Sequence, residues 1–128
     1  MNVTLWMLQV LLALAFLAHG LMFLAPPPDV GVQMNAMLPR WFQLFLGVAE
    51  VLAAVGLTLP GLTRIMPALV PAAAAGVMIV MISATALHLW RREYAGAAIT
   101  FVLLLMATFV AHGRWRVLPI APRRDAGR

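Results

Sequence analysis

The sequence predicts an all-α protein, a bundle of four transmembrane helices, and three observations carry that expectation. Of its 128 residues, 64% are hydrophobic and 10% charged, whereas soluble domains carry about a quarter charged residues. The apolar residues fall in blocks of about 20, the length of helix that crosses a hydrocarbon core of roughly 30 Å. All four tryptophans, Trp6, Trp41, Trp90 and Trp115, stand at the ends of those blocks, where indole rings favour the headgroup boundary.

The first helix spans about 3–25 and is stopped by Pro26, Pro27 and Pro28, which withhold backbone donors. Its opening has no basic side chain and its apolar run outlasts a signal-peptide core, so an uncleaved span is expected. The connection 29–40 mixes Val30, Val32, Met34, Met37 and Leu38 with polar residues, a composition that lies in the interface or folds over the bundle as a candidate lid. A second helix, 41–59, ends at the turn signal Pro60-Gly61. The third, 65–90, tolerates Pro67 and Pro71 in its first turns and closes on Arg91, Arg92 and Glu93. The fourth covers 95–111. Residues 1–116 therefore form a membrane domain and 117–128 a basic, irregular tail.

The formal charge of +5 comes from arginines in connections and the tail, with no stripe of aromatics interleaved, so membrane orientation explains it better than nucleic acid. Arg64, Arg114, Arg116, Arg123, Arg124 and Arg128 fall on the side of both termini, against Arg40, Arg91 and Arg92 opposite. Short cytoplasmic segments collect arginine, so both termini are expected in the cytoplasm. With no cysteine, the chain alone has no disulfide, thiolate metal site or dithiol chemistry. Metalloprotease, P-loop and dinucleotide signatures are missing, so no metal site is expected, and a redox role requires a bound cofactor or a partner.

Few polar groups stand at membrane depth. Glu50 lies near the middle of the second helix, and an ionisable group there is costly enough to be a functional candidate by default. Gln43, Gly47 and Glu50 share one helix face at i, i+4, i+7, which should point into the bundle. Counted from the helix ends, His19 lies about 5 Å from the level of Glu50, within reach directly or through one water. His88, about two residues from its helix end, is expected to have interfacial neighbours instead. For His88, capping the C-terminal dipole is a competing structural role; for Glu50, the competing role is an interhelical hydrogen bond made by the neutral acid. Gln9, Thr58, Thr100 and Thr108 are read as structural.

The order Gly47-Val48-Ala49-Glu50, Gly56 to Pro60, Pro67 to Gly76 with its alanines, Met81 to Glu93 around His88, and Phe109-Val110 to Gly113-Arg114 resembles the DoxX-like family of small four-helix membrane proteins. The resemblance covers about residues 6–116. It implies a four-helix bundle in the bacterial plasma membrane and carries over Glu50 and His88 as characteristic polar positions. Some relatives are associated with thiosulfate and quinone oxidoreductase complexes or with oxidative-stress systems. One departure bears on the site: many members have a lysine shortly after the glycine matching Gly20, where this chain reads Leu21-Met22-Phe23.

Three functions remain open at this level. The first is binding of a lipophilic small molecule such as a quinone between the outer helix halves, with Glu50 and His19 exchanging protons and a membrane oxidoreductase partner supplying electrons. The second is a non-catalytic accessory or assembly subunit, docking through Ala/Gly faces and the tail, or a homo-oligomer. The third is a proton-coupled small carrier, which would need oligomers because the bundle is too thin to enclose a path alone.

Overall fold

A computed structural model describes residues 1–124 of the chain. Four helices are long and apolar enough to cross a membrane: α1 (Asn2–Leu24), α3 (Arg40–Thr63), α4 (Leu69–Trp90) and α5 (Tyr94–His112), with a short α2 (Pro28–Met37) between the first two. A π-turn, Gly113–Val117, prolongs α5, and no strand occurs among the described residues. At roughly 1.5 Å per residue, a span of 23 residues is about 34 Å long, enough for the hydrocarbon core.

Close contacts fix the topology. Gly20 meets Gly47 and Gly61 meets Trp6 along α1 and α3, Gly56 meets Ala73 between α3 and α4, and Gly113 meets Leu5 between the end of α5 and α1. Thr85 donates to Thr100 across α4 and α5. Successive spans are therefore antiparallel, and the N-terminus, the α3–α4 connection and the end of α5 share one face. The core, with Leu12, Phe16, Leu57, Val77, Met81 and Val110 at its centre, is narrow. Side chains such as Leu52, Ile79 and Ile99 are more than 60% exposed, as expected where lipid rather than protein covers the apolar flank.

Three expected boundaries are corrected. The second span does not stop at Leu59: Pro60 lies inside α3, and the helix ends at Arg64, which adopts φ 59°. Proline withholds one donor, but the surrounding bonds persist, as membrane helices permit. The third span begins at Leu69, not Ile65, because Met66 at φ 50° turns the chain and Pro67 precedes the helix. Pro71 does lie in the first turn, where its missing N–H is one of the orphan donors anyway. The connection 29–40 is largely the helix α2, opened by Pro28 at its first position.

Arg40 and Gln43 tie α2 to the spans. The Arg40 guanidinium donates to the carbonyls of Phe23 (2.8 Å) and Leu24 (2.8 Å), supplying donors to the C-terminus of α1, whose own last turn has no basic residue. It also donates to Gln43 Oε1 at 3.3 Å, while Gln43 Nε2 donates to Asn35 Oδ1 (2.9 Å) and the Leu38 carbonyl (2.8 Å). At the opposite face, Arg64 Nε donates to the Ala121 carbonyl and Arg123 N–H to the Arg64 carbonyl, each within 3.0 Å. The tail thus folds back on the bundle as far as it is described, and its expected extension to Arg128 lies outside the described residues.

Replacing Arg40 with alanine removes three charge-assisted bonds. It is expected to lower stability by about 1–3 kcal/mol and to raise amide hydrogen exchange over Ala25–Leu38, with the centres of α3 and α4 unaffected. Unchanged exchange over that segment would show that α2 is held by other contacts.

Candidate functional site

The polar residues gather in three places. Midway along the α1–α3 contact, Glu50 is buried with its side chain 5% exposed, and its Oε2 lies 2.7 Å from His19 Nδ1. The contact expected from helix depth therefore forms directly, without a bridging water. His19 presents the opposite environment: its side chain is 63% exposed on the flank of the bundle. Its ring meets Phe23 edge-on, with centroids 4.8 Å apart and planes at 85°. Nε2 has no partner among the described residues, so one ring nitrogen faces the acid and the other faces outward.

Two glycines make this geometry feasible. A methyl group on Gly20 would stand 2.9 Å from the Gly47 carbonyl oxygen and 3.1 Å from Glu50 Cβ. One on Gly47 would stand 2.8 Å from Leu24 Cγ and 3.0 Å from the Gly20 carbonyl oxygen. Small residues let membrane helices cross closely where burial supplies little drive, and here they bring α1 near enough for a short imidazole to reach a short acid.

The other sequence candidates lie apart from this pair. Gln43 shares the inward face of α3 with Glu50 and is fully buried, but its amide is engaged by Arg40, Asn35 and Leu38. His88 lies near the end of α4 and binds Glu93, Nδ1 to Oε2, at 2.6 Å. Gly96 leaves room for that ring, since a Cβ there would be 2.7 Å from Nδ1. The hydroxyls of Thr58, Thr100 and Thr108 donate to helix carbonyls one turn back. Among the described residues, no three His, Asp or Glu side chains come together as a metal site.

The third cluster was not anticipated. Arg114, counted among the arginines on the side of both termini, is 3% exposed. Its Nε donates to Gln9 Oε1 at 2.6 Å and its Nη1 to Asn2 Oδ1 at 2.7 Å, while Gln9 Nε2 donates to the Leu57 carbonyl at 2.7 Å. One cation and two amides thereby link α1, α3 and the end of α5. A sequence signal existed: Ala107, Val110 and Arg114 follow one stripe of α5, as Leu5, Gln9, Leu12 and Phe16 do on α1. The positive charge hid it, because arginine near a span end ordinarily reads as a topology signal.

Fold and site together define a class: a four-span membrane bundle holding a carboxyl–imidazole pair within its α1–α3 contact. The DoxX-like family profile matches residues 7–110, and the chain belongs to that family. No curated protein and no solved structure matches the chain.

The Gly20→Ala protein is expected to separate α1 from α3, because the added methyl meets backbone rather than a flexible side-chain tip. The His19 Nδ1 nitrogen-15 signal in detergent micelles should then shift to that of a ring without the Glu50 bond, matching the shift in Glu50→Gln. A wild-type signal in Gly20→Ala would mean that the pair does not depend on this crossing.

Proposed function

We propose that the protein binds a lipophilic carbonyl compound of the quinone class from within the bilayer and exchanges protons with it through His19 and Glu50. The observation that carries this reading is the asymmetry of the pair. A buried acid stands 2.7 Å behind an imidazole that is 63% exposed at membrane depth, so a ligand arriving through the lipid meets His19 Nε2 and communicates with Glu50 across the ring. Imidazole gains and loses protons near neutrality, and ionisable groups inside membranes mark functional sites far more often than packing alone requires.

Quinone reduction takes up electrons and protons in equal number. Here, for each electron taken up, His19 donates one proton from Nε2 to a quinone oxygen and is reprotonated at Nδ1 by Glu50, whose carboxylate then regains a proton from water at the membrane surface before the next transfer. The electrons come from a membrane oxidoreductase partner, since the chain has no cysteine and hence no dithiol to supply them. In this reading both termini lie in the cytoplasm, which the arginine bias supports, the His19–Glu50 pair lies in the outer half of a bacterial plasma membrane, and the protein works within a redox or stress-related complex.

A second reading, a non-catalytic accessory or assembly subunit, draws on the flank of α4. Ala72, Ala75 and Gly76 are exposed there, and a Cβ on Gly76 would meet nothing within 4 Å, which leaves the backbone open to a helix from another chain.

Mass spectrometry of the protein purified in native nanodiscs separates the two. Under the first reading, wild type carries a bound quinone, and both Glu50→Gln and His19→Phe lose about tenfold in occupancy, equivalent to ~1.4 kcal/mol of binding. Equal quinone content in all three proteins overturns it. A retained protein partner, with no quinone and no response to either substitution, establishes the accessory role instead.

A further inference from the structure

The face that holds both chain ends contains a cavity of about 370 Å³, lined by Asn2, Trp6, Gly61, Arg64, Arg114 and residues 118–121. Arg114 is 3% exposed, and although its Nε and Nη1 are satisfied, its Nη2 is buried with no hydrogen-bond partner among the described residues. Buried polar atoms are nearly always paired, and an orphan requires an explanation. Among the described residues the charge has no acidic partner either: Glu50 is engaged by His19, Glu93 by His88, and Asp29 opens α2 at the opposite face, while the fourth acid of the chain, Asp125, lies outside the described residues. Burying an uncompensated cation is expensive.

Local structure holds the guanidinium in this position. The Leu118 N–H bonds the Gly113 carbonyl at 2.7 Å, a π-turn spacing of the kind that recurs at functional sites. Within that turn Arg114 is buried while Trp115, Arg116 and Val117 are exposed. Its guanidinium lies 5.3 Å from the centroid of the Trp6 ring. The cavity therefore offers a guanidinium fixed in place with one nitrogen unpaired, a second arginine at Arg64 and apolar walls from Trp6, Leu118 and Ile120. Arg64, Leu118, Pro119 and Ala121 are exposed, so the cavity is open from the membrane–water boundary.

We propose that this cavity binds a phosphate-bearing anion, which compensates the Arg114 guanidinium and pairs with Arg64. Guanidinium groups pair strongly with phosphate oxygens through charge-assisted contacts. Two sources share this chemistry, an anionic phospholipid headgroup and free phosphate, and basic pockets at the ends of membrane helices take lipid headgroups readily.

The test uses the full chain, delipidated in neutral detergent. Native mass spectrometry and thermal shift are measured with phosphatidylglycerol, with zwitterionic phosphatidylcholine and with inorganic phosphate. Wild type is expected to retain phosphatidylglycerol about tenfold more than phosphatidylcholine, and Arg114→Gln to abolish that preference. Because Arg114→Gln also removes bonds to Gln9 and Asn2, Arg64→Gln serves as a second variant. It leaves the Arg114 network intact and is expected to weaken retention several-fold at unchanged helix content. Stabilisation by inorganic phosphate that competes with the lipid identifies a general phosphate site, and phosphatidylglycerol without a phosphate response identifies the headgroup. Two outcomes overturn the proposal. One is equal retention of both lipids with no phosphate response in wild type. The other is anion binding that emerges only in Asp125→Asn, which would make the chain's own acid the occupant.

Discussion

The close crossing of α1 and α3 at Gly20 and Gly47 is the contact on which the rest depends. Inside hydrocarbon, apolar side chains gain nothing by leaving lipid for protein, so helices associate through van der Waals contact and polar pairing. The two glycines supply the first and His19–Glu50 the second, at the same point. A wider crossing would leave Glu50 a buried acid without its partner, an arrangement whose cost exceeds that of an ordinary packing defect.

Polar pairing recurs along the molecule at each level of the bilayer. Near one face, Arg40 supplies donors to the last carbonyls of α1 and, with Gln43, fastens α2 across the bundle end. Near the other, Gln9 and Arg114 bind three elements together. Between these layers the apolar core is thin, and much of each span faces outward. Such a bundle derives its specificity from a few hydrogen-bonded positions, while lipid covers the remainder of its surface. That construction also explains why the His19–Glu50 pair lies at the flank: four helices around a narrow core leave little enclosed space.

The two basic ends differ in character. Arg40 is exposed and satisfied by backbone carbonyls, a structural arrangement complete in itself. Arg114 is buried and retains one unsatisfied nitrogen beside a cavity. Arginines that contribute alike to a charge count therefore act differently, and what separates them is local geometry: Arg40 opens a helix beside another helix's C-terminus, while Arg114 lies within a π-turn against Trp6.

Four spans, their order and the inward face bearing Gln43, Gly47 and Glu50 were legible in the sequence, because hydropathy, length and helical spacing are local properties that the bilayer enforces directly. The nearness of His19 to Glu50 was legible from depth alone, since antiparallel spans that start at one face share a common vertical scale. Helix ends were less legible: Pro60 reads as a stop, yet the bonds on either side of it hold α3 together to Thr63. Tertiary structure decided that Gln43 serves α2 rather than Glu50 and that Arg114, whose stripe on α5 hinted at an inward face, meets Gln9 and Asn2 there, whereas His88 pairs with Glu93 only five residues along the chain. The first two outcomes depend on which neighbour lies across a helix contact. Sequence spacing assigns a residue to a face and a depth, but the partner that meets it there is set by how closely, and in what rotation, the next helix packs.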